Sequence, residues 1–213
     1  DRRKMSELVI WGRTNSINVQ KVLWTCAELE LAFERIDAGL QFGVNKTPEY
    51  MQNNPNGLVP LINDNGFILW ESHAIMRYLA RKHDHQGALA PQDPQKDALV
   101  DQWLDWYNTV AWPAMKPLFW GWVRTPAEQR NLDELEKARL QMVVILEMLE
   151  KQLGKAVYVS GAQFTLADIP LALLAFRWFN LPLERPSFPN LSKWYEEIAK
   201  RPGFQKYSSG PLT

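Results

Sequence analysis

Residues 53–75, NNPNGLVPLINDNGFILWESHAI, carry the strongest local structure signals in this chain. It contains two apolar runs, 58–62 and 67–70, on either side of the dipeptide Asn65-Gly66. Asn-Gly between two apolar runs is a strong β-hairpin signal, because both residues tolerate a positive φ. Residues 72–82 then place apolar side chains at helical spacing. The stretch therefore predicts the order strand, strand, helix.

The residues before this stretch predict a strand, a helix and a second strand, at 8–11, 17–30 and 33–37. The helix carries a one-sided apolar stripe, formed by Val19, Val22, Leu23, Cys26 and Leu29. A strand, a helix and a strand with short connections form a parallel pair with a right-handed crossover. The two halves together predict an α/β domain, βαβ followed by ββα, with a mixed four-stranded sheet.

Beyond this region the strand signals end, and the chain predicts an all-α domain. Residues 84–94 are polar, carry two prolines and a glycine, and predict a linker. The predicted helices are 95–112 (closed by Pro113), 131–153, one that begins at a capping box of Thr165 and Asp168, and 191–201. The predicted domains are therefore 5–83 and 95–213.

Composition and charge exclude several classes of function. Twenty-four basic residues balance twenty-four acidic ones, so no net field attracts nucleic acid or an anionic membrane. No apolar run approaches the roughly 20 residues that span a bilayer, and the first residues lack a secretory signal. Cys26 is the only cysteine, which excludes an intrachain disulfide and a multi-cysteine metal site. A cytoplasmic location and no bound metal are expected.

Two local motifs could bind a peptide-like ligand. Val59-Pro60 precedes the hairpin; a proline there marks a strand edge, a bulge or a cis bond, and the alternative is an ordinary trans loop. Glu71-Ser72 opens the helix after the hairpin. A helix N-terminus with a hydroxyl can hold a carboxylate, and the adjacent acid can hold an ammonium group. The alternative for this pair is simple helix capping.

A third motif lies at the turn between the first strand and the first helix. Thr14, Asn15 and Ser16 offer hydroxyl and amide donors beside a helix N-terminus. Donors in that position can hydrogen-bond a thiolate and lower the pKa of its thiol. Capping is again the alternative. Each of the three motifs taken alone favours the structural interpretation.

The fixed order of these three motifs along the chain, in contrast, favours a functional interpretation. A strand and a hydroxyl turn are followed by N-P-x-G-x-V-P-x-L, an Asn-Gly hairpin and an E-S-x-A-I helix start. This order resembles the thioredoxin-like N-terminal domain of cytosolic glutathione transferases. The box at residues 164–169 resembles the capping motif of that family's helical domain, so the resemblance spans nearly the whole chain. The run SINVQKV at residues 16–22 resembles the serine-type (theta- or phi-like, bacterial-style) members. Residues 10–18 hold no tyrosine or cysteine, which argues against the tyrosine-type and cysteine-type classes.

The resemblance implies a role for individual residues. Val59 would bind the cysteinyl backbone of glutathione, with Pro60 in the cis form, and Glu71 and Ser72 would hold the γ-glutamyl end. Ser16 would stabilise the thiolate, with Thr14 and Asn15 as alternatives. Charge and position make Gln41 and Lys46 candidates for the glycyl carboxylate.

The resemblance also implies a reaction and partners. Glutathione is expected as co-substrate without a further cofactor, its thiolate attacking a small, hydrophobic electrophile in a homodimeric enzyme. Trp106 and Trp112 are candidates for the second-substrate pocket, although Trp103 and Trp106 have the i, i+3 spacing of a shared core face. Alternatives are a glutathione-dependent peroxidase or isomerase, or a non-catalytic glutathione-binding module. Cys26 is expected to be a buried, inert side chain, and Asp168 a structural cap.

Overall fold

The computed structural model describes residues 7–213. The chain divides into two compact units, of which the first ends at Gln86 and the second comprises Gly87–Thr213. Residues 84–93 form no regular helix or strand. No helix within 7–213 is both long enough and apolar enough to cross a membrane.

The first unit is an α/β unit with short elements. Its strands are β1 (Leu8–Trp11), β2 (Glu34–Ile36), β3 (Leu61–Asp64) and β4 (Phe67–Trp70). Its helices are α1 (Ile17–Glu28), α2 (Pro48–Asn53) and α3 (Ser72–His83), with a 3-10 turn at Leu40–Phe42.

The four strands form one mixed sheet in the order β2-β1-β3-β4, as the sequence predicts. β1 is parallel to β2 and antiparallel to β3, and β3 is antiparallel to β4. In this register Trp11 lies opposite both Ile36 and Leu61, and Leu61 lies opposite Trp70. These four residues form one row across the sheet. The chain segments that leave the row therefore all lie at the same end of the sheet.

The predicted hairpin is present, and its turn has the expected geometry. Asn65 and Gly66 both adopt positive φ, 53° and 91°, between the paired residues Asp64 and Phe67. Such a turn matches the right-handed twist of the strands it joins. The start of β3, the first strand of this hairpin, was predicted wrongly, since β3 begins at Leu61 and not at residue 58. Pro60 has no N–H to donate to a ladder, so pairing begins only after it.

Helix α1 buries four of the five residues of the predicted apolar stripe; the fifth, Leu29, is half-buried at its C-cap. Val19, Val22, Leu23 and Cys26 of α1 are all fully buried, and α1 packs against α3. Helix α2 and the 3-10 turn, between β2 and β3, were not predicted. A six-residue helix gives too little periodicity to recognise, although Thr47, which caps the N-terminus of α2 through its hydroxyl, was a usable signal.

The second unit is all-helical among its described residues. Its helices are α4 (Pro94–Trp106), α5 (Trp112–Phe119), α6 (Leu132–Leu153), α7 (Asp168–Asn180), α8 (Pro189–Ile198) and α9 (Pro202–Ser208). Two π-helical turns, Tyr107–Ala111 and Trp120–Arg124, follow α4 and α5 respectively.

The prediction that Pro113 closes the first of these helices is wrong. The helical path continues from α4 through a π turn into α5, with Pro113 in the first turn of α5. A proline inside an α-helix removes one hydrogen bond, and its ring collides with the carbonyl four residues earlier. In the π turn the Trp112 N–H bonds instead to the carbonyl of Tyr107, five residues back. The wider π turn avoids the clash between the Pro113 ring and the preceding carbonyl, so the helical segment continues into α5.

The hydrogen bonds of the predicted capping box at Thr165 and Asp168 are present and buried, but α7 begins only at Asp168, with Ala167 at its N-cap. The Asp168 carboxylate accepts hydrogen bonds from the N–H groups of Val159 and Thr165 and from the Trp194 indole, at 2.9–3.0 Å. The Thr165 hydroxyl in turn accepts from the Ala167 N–H. Complete burial raises the pKa of Asp168 to about 6, and the three donors oppose that rise. Asp168 thus links three segments of the helical unit, in keeping with its expected structural role.

We expect Asp168→Asn to lower the free energy of unfolding by about 2–4 kcal/mol. The amide oxygen can replace only one carboxylate oxygen, so the amide NH2 would face at least one buried N–H donor and leave it without an acceptor. Denaturant titration measures the loss. Asp133→Asn, at an exposed position in the first turn of α6, is the control and should cost less than about 1 kcal/mol. Equal stabilities for the two variants would contradict this role for Asp168.

Candidate functional site

The predicted glutathione-binding segments all leave one end of the sheet. Residues 12–16 follow Trp11, residues 59–60 precede Leu61, and residues 71–72 follow Trp70. Residues 37–41 leave the same end, after Ile36. Strand register therefore brings together four segments that lie far apart in the sequence.

The segment before β3 presents free backbone groups. The Val59-Pro60 bond is cis. The carbonyl of Leu58, just before it, accepts hydrogen bonds from the Tyr50 hydroxyl at 2.6 Å and from the Asn54 amide at 2.9 Å. Val59 itself makes no backbone hydrogen bond to any residue in 7–213. Its N–H and C=O are therefore available to pair with an extended peptide.

Ser16 lies at the N-cap of α1, but its hydroxyl does not cap the helix. Its backbone accepts the first helical bond, from the Gln20 N–H, while the hydroxyl has no hydrogen bond within the described residues. The residue is 6% exposed. A nearly buried hydroxyl at a helix N-terminus can donate a hydrogen bond to an anion, which the helix end also attracts. Thr14 is exposed, and Asn15 is half-buried.

Glu71 and Ser72 form the junction of β4 and α3. Glu71 has a φ of 74° and a ψ of 114°, a conformation that residues with a side chain rarely adopt. Its exposed carboxylate neither caps the helix nor pairs with a cation of the described residues. Ser72 is buried as the first residue of α3, and its hydroxyl does not cap the helix either. The capping interpretation therefore accounts for neither side chain.

Gln41 and Lys46 lie in the loops around α2. Gln41 is exposed in the 3-10 turn, and Lys46 is exposed after it. A side chain added at Gly57 would approach the Lys46 Nζ to 2.8 Å, so the ammonium group lies over Gly57, two residues from Val59. The Asn45 amide holds the carbonyl of Gly57 at 2.8 Å. The structure thus brings Lys46 to the Val59 segment, and it gives no such contact for Gln41.

Arg13 places a positive charge at the same end of the sheet. A Cβ added at Gly39 would lie 2.8 Å from the Arg13 Nη1 and 3.5 Å from the Val59 side chain. Arg13 and Val59 therefore border the same glycine, whose φ is 92°.

Two residues of this site escape prediction from the sequence. Tyr50 lies in the unrecognised helix α2 and holds the Leu58 carbonyl next to Val59. Lys21 lies on α1, is 1% exposed, and has its Nζ 3.5 Å from the Ser72 hydroxyl. For Lys21 a signal was available in the sequence, since it lies within the apolar stripe of the first helix. Lysine is almost never fully buried without a partner.

The candidate pocket tryptophans lie in the second unit. Trp106, at the end of α4, is half-buried and packs edge-to-face on buried Trp103 at 5.1 Å. Trp112, at the start of α5, is half-buried and stacks on Tyr107 at 6.2 Å. Both rings keep an exposed part. The Trp103 contact fits the core-face interpretation of that pair, so for these two residues a pocket role stays a prediction.

Cys26 lies in the core of the first unit. Cys26 is a free, fully buried thiol, and burial raises its pKa to about 12. Within residues 7–213 there is no group of three or more His, Cys, Asp or Glu side chains that could hold a metal ion. The nucleophile at this site must therefore come from a bound molecule if the chemistry is that of a thiolate.

Two family models match this chain, one in each unit. Residues 6–81 match the family model of the glutathione S-transferase N-terminal domain, and residues 105–202 match that of the C-terminal domain. Glutathione S-transferase GstB of Escherichia coli (strain K12) is 38% identical over 208 residues, which cover 97% of this chain and all of that protein. Glutathione S-transferase 3 of Zea mays is 32% identical, over 95% of this chain and 93% of that protein.

The solved structures agree as well. The theta-class glutathione S-transferase of Xanthomonas axonopodis pv. citri, crystallised with glutathione bound, superimposes with a TM-score of 0.94 at 41% identity. The match covers 98% of this chain and 100% of that one. The chain belongs to the glutathione S-transferase family and is a glutathione transferase. The family and the fold class predicted from the sequence are confirmed.

We expect Cys26 to be inert in the folded protein. A thiol of pKa about 12 is ionised in about one molecule in 10⁵ at pH 7, and burial also blocks reagents. A chromogenic disulfide reagent should therefore detect no thiol at neutral pH and one equivalent after denaturant is added. Cys26→Ser supplies the blank. Rapid labelling of the native protein would contradict the buried position of Cys26.

We expect backbone strain at Glu71 to reverse the usual order of alanine and glycine. Glycine relieves a positive φ that costs about 1–3 kcal/mol, so Glu71→Gly should unfold with about 1 kcal/mol more free energy than Glu71→Ala. At exposed Glu147, inside α6, alanine should be the more stable by about 1 kcal/mol. Denaturant titration of the four variants measures their free energies of unfolding. If alanine were more stable than glycine at both positions, strain at Glu71 would be ruled out.

Proposed function

We propose that this transferase binds glutathione in an extended form across the end of its sheet and stabilises the thiolate with Ser16. The observation that carries the proposal is the free hydroxyl of Ser16, nearly buried at the N-terminus of α1. Strand register brings that hydroxyl to the same sheet end as the free backbone of Val59. The predicted domain bounds, 5–83 for glutathione and 95–213 for the electrophile, belong to this proposal.

The γ-glutamyl end of glutathione carries an ammonium group and a carboxylate on one carbon. In the proposal the exposed, unpaired carboxylate of Glu71 binds the ammonium group. The carboxylate binds to the first N–H groups of α3 and to the Ser72 hydroxyl, because a helix N-terminus has unsatisfied donors and a partial positive charge. The unusual backbone of Glu71 supports this role, because strain at such a position is commonly retained for function.

The middle of the tripeptide pairs with Val59. Its N–H and C=O form two antiparallel hydrogen bonds with the cysteinyl residue, as an added strand would. Tyr50 and Asn54 support this geometry through the Leu58 carbonyl. Lys46 and Gln41 bind the glycyl carboxylate. The position of the Lys46 ammonium group over Gly57 supports the role of Lys46. The role of Gln41 is supported only by its position in the 3-10 turn after β2.

The thiol loses its proton to solvent, and the anion accepts a hydrogen bond from Ser16. The N-terminus of α1 and the guanidinium of Arg13 add positive potential. The sulfur lone pair then forms the S–C bond, and the leaving group departs with its electron pair. Ser16 donates a hydrogen bond without removing a proton, so it acts electrostatically.

The rest of the proposal concerns the second substrate and the assembly. A small, hydrophobic electrophile would bind against Trp106 and Trp112, whose rings are partly exposed. A homodimer in the cytoplasm, with glutathione as the only co-substrate, is what the resemblance to the family implies and completes the proposal.

We expect Ser16→Ala to raise the pKa of the bound glutathione thiol by about one to two pH units. One hydrogen bond to an anion is worth about 1.5–3 kcal/mol, and each pH unit corresponds to about 1.4 kcal/mol. Absorbance titration of the enzyme–glutathione complex reads the thiolate directly. Conjugation of an aryl halide near neutral pH should slow about tenfold or more.

Thr14→Val and Asn15→Ala are the matched variants in the same turn, and the proposal expects both to keep the wild-type thiol pKa. A raised pKa in one of them, with Ser16→Ala unchanged, would transfer the role to that residue. Failure of the wild-type protein to bind glutathione at millimolar concentration would remove the proposed site altogether.

A further inference from the structure

Aromatic and cationic side chains alternate along α5 and the π turn that follows it. They are Trp112, Lys116, Trp120 and Arg124, each four residues after the one before. Residues four apart share one face of a helix, and we call these four residues the aromatic–cation stripe. The stripe begins at Trp112, a candidate for the electrophile pocket. Residues 106–127 contain no aspartate or glutamate.

The two cations of the stripe contact the same aromatic ring. The Lys116 Nζ lies 5.7 Å from the centroid of the Trp120 ring, and the Arg124 Cζ lies 4.7 Å from that centroid. Both distances are within the range of a cation–π contact. The stripe therefore continues from α5 through the π turn Trp120–Arg124 without interruption.

Neither cation has a counter-ion in the part of the chain that the structure describes. Within residues 7–213 the Lys116 ammonium group and the Arg124 guanidinium form no ion pair and no hydrogen bond. Lys116 is exposed, so water can solvate its charge. Arg124 is half-buried, and burial lowers its pKa. A partly desolvated guanidinium with free donors suits a carboxylate, which can accept two of its hydrogen bonds side by side.

A second guanidinium lies close to Arg124. The Cζ atoms of Arg124 and Arg177 lie 5.6 Å and 5.2 Å from the centroid of the Phe119 ring. Burial lowers the pKa of Arg177 to about 10, and the charge of Arg124 adds to this effect. The two guanidinium groups therefore repel each other. An anion beside Arg124 would weaken this repulsion in addition to pairing with Arg124.

The Trp120 ring supplies an apolar surface next to these charges. This residue is 44% exposed, so an aryl group can contact the indole while its carboxylate reaches Arg124 or Lys116. An anionic membrane surface also attracts tryptophan, lysine and arginine side chains. It fits the stripe less well, because Arg124 and Trp112 are half-buried, and a flat surface reaches mainly exposed groups.

We infer that the electrophile of this transferase carries a carboxylate on an aryl group, and that Arg124 and Lys116 bind this carboxylate beside the Trp120 ring. This inference rests on the proposed function, and it names the class of the second substrate. Arg124 and Lys116 are then specificity-determining residues that take no part in stabilising the thiolate.

The test compares two aryl halides that differ in charge. 4-Chloro-3-nitrobenzoate carries the carboxylate, and 4-chloro-3-nitrobenzamide replaces it with a neutral amide of nearly the same shape. KM and kcat are measured for both halides at saturating glutathione, with the full-length wild-type protein and with Arg124→Met, Lys116→Met and Lys193→Met. The last variant is the control, because it removes one positive charge at an exposed position of another helix, α8.

We expect Arg124→Met to raise KM for the benzoate about tenfold, the loss that one hydrogen bond to a charged group produces. It should change KM for the benzamide, and kcat for both halides, less than about twofold. Lys116→Met should raise KM for the benzoate about two- to threefold, because an exposed charge contributes less. Lys193→Met should change neither KM. Arg124→Lys keeps the charge but loses the paired donors, so it should give an intermediate KM and serves if Arg124→Met does not fold.

An unchanged KM for the benzoate in the stripe variants would overturn the inference, and so would an equal rise in KM for both halides. Sedimentation of the wild-type protein with phosphatidylglycerol vesicles, lost in the stripe variants while both KM values stay unchanged, would assign the stripe to a membrane surface instead. Failure of the proposed function is a different result. In that case the wild-type protein would not bind glutathione and would conjugate neither halide.

Discussion

The structure depends on the register between β1, β3 and β4. Because Trp11, Leu61 and Trp70 lie side by side, the hydroxyl turn, the Val59 backbone and the start of α3 all leave one end of the sheet. A shift of one residue would turn every strand side chain to the other face and separate these segments. The turn at Asn65-Gly66 holds this register, since two residues of positive φ permit only a tight hairpin.

The sequence was sufficient for the sheet, the hairpin and the order of the binding segments, because these follow from apolar periodicity and turn chemistry. It was not sufficient for α2, whose six residues carry less than two turns of pattern. It also missed Lys21, whose partner Ser72 is 51 residues away. Periodicity describes neighbours along the chain, whereas a buried charge is defined by groups that only the folded chain brings near.

The binding groups differ in how the fold positions them. Val59 offers its backbone, which Tyr50 and Asn54 fix through the preceding carbonyl. Ser16 and Ser72 offer hydroxyls at the N-termini of α1 and α3, where both helices also attract negative charge. In the proposed binding mode, the unit would therefore bind a tripeptide with two carboxylates and a thiolate through one main-chain segment, two helix ends and the side chains around them.

The π turns of the helical unit have a consequence for how its surface can change. Each such turn contains one residue more than an α-helical path needs, and one residue corresponds to a rotation of about 100° about the axis. The turn at Tyr107–Ala111 thus sets the angular direction of Trp112 relative to Trp106. Losing a single residue there would rotate all of α5 against α4, a larger change than any substitution on either helix could produce.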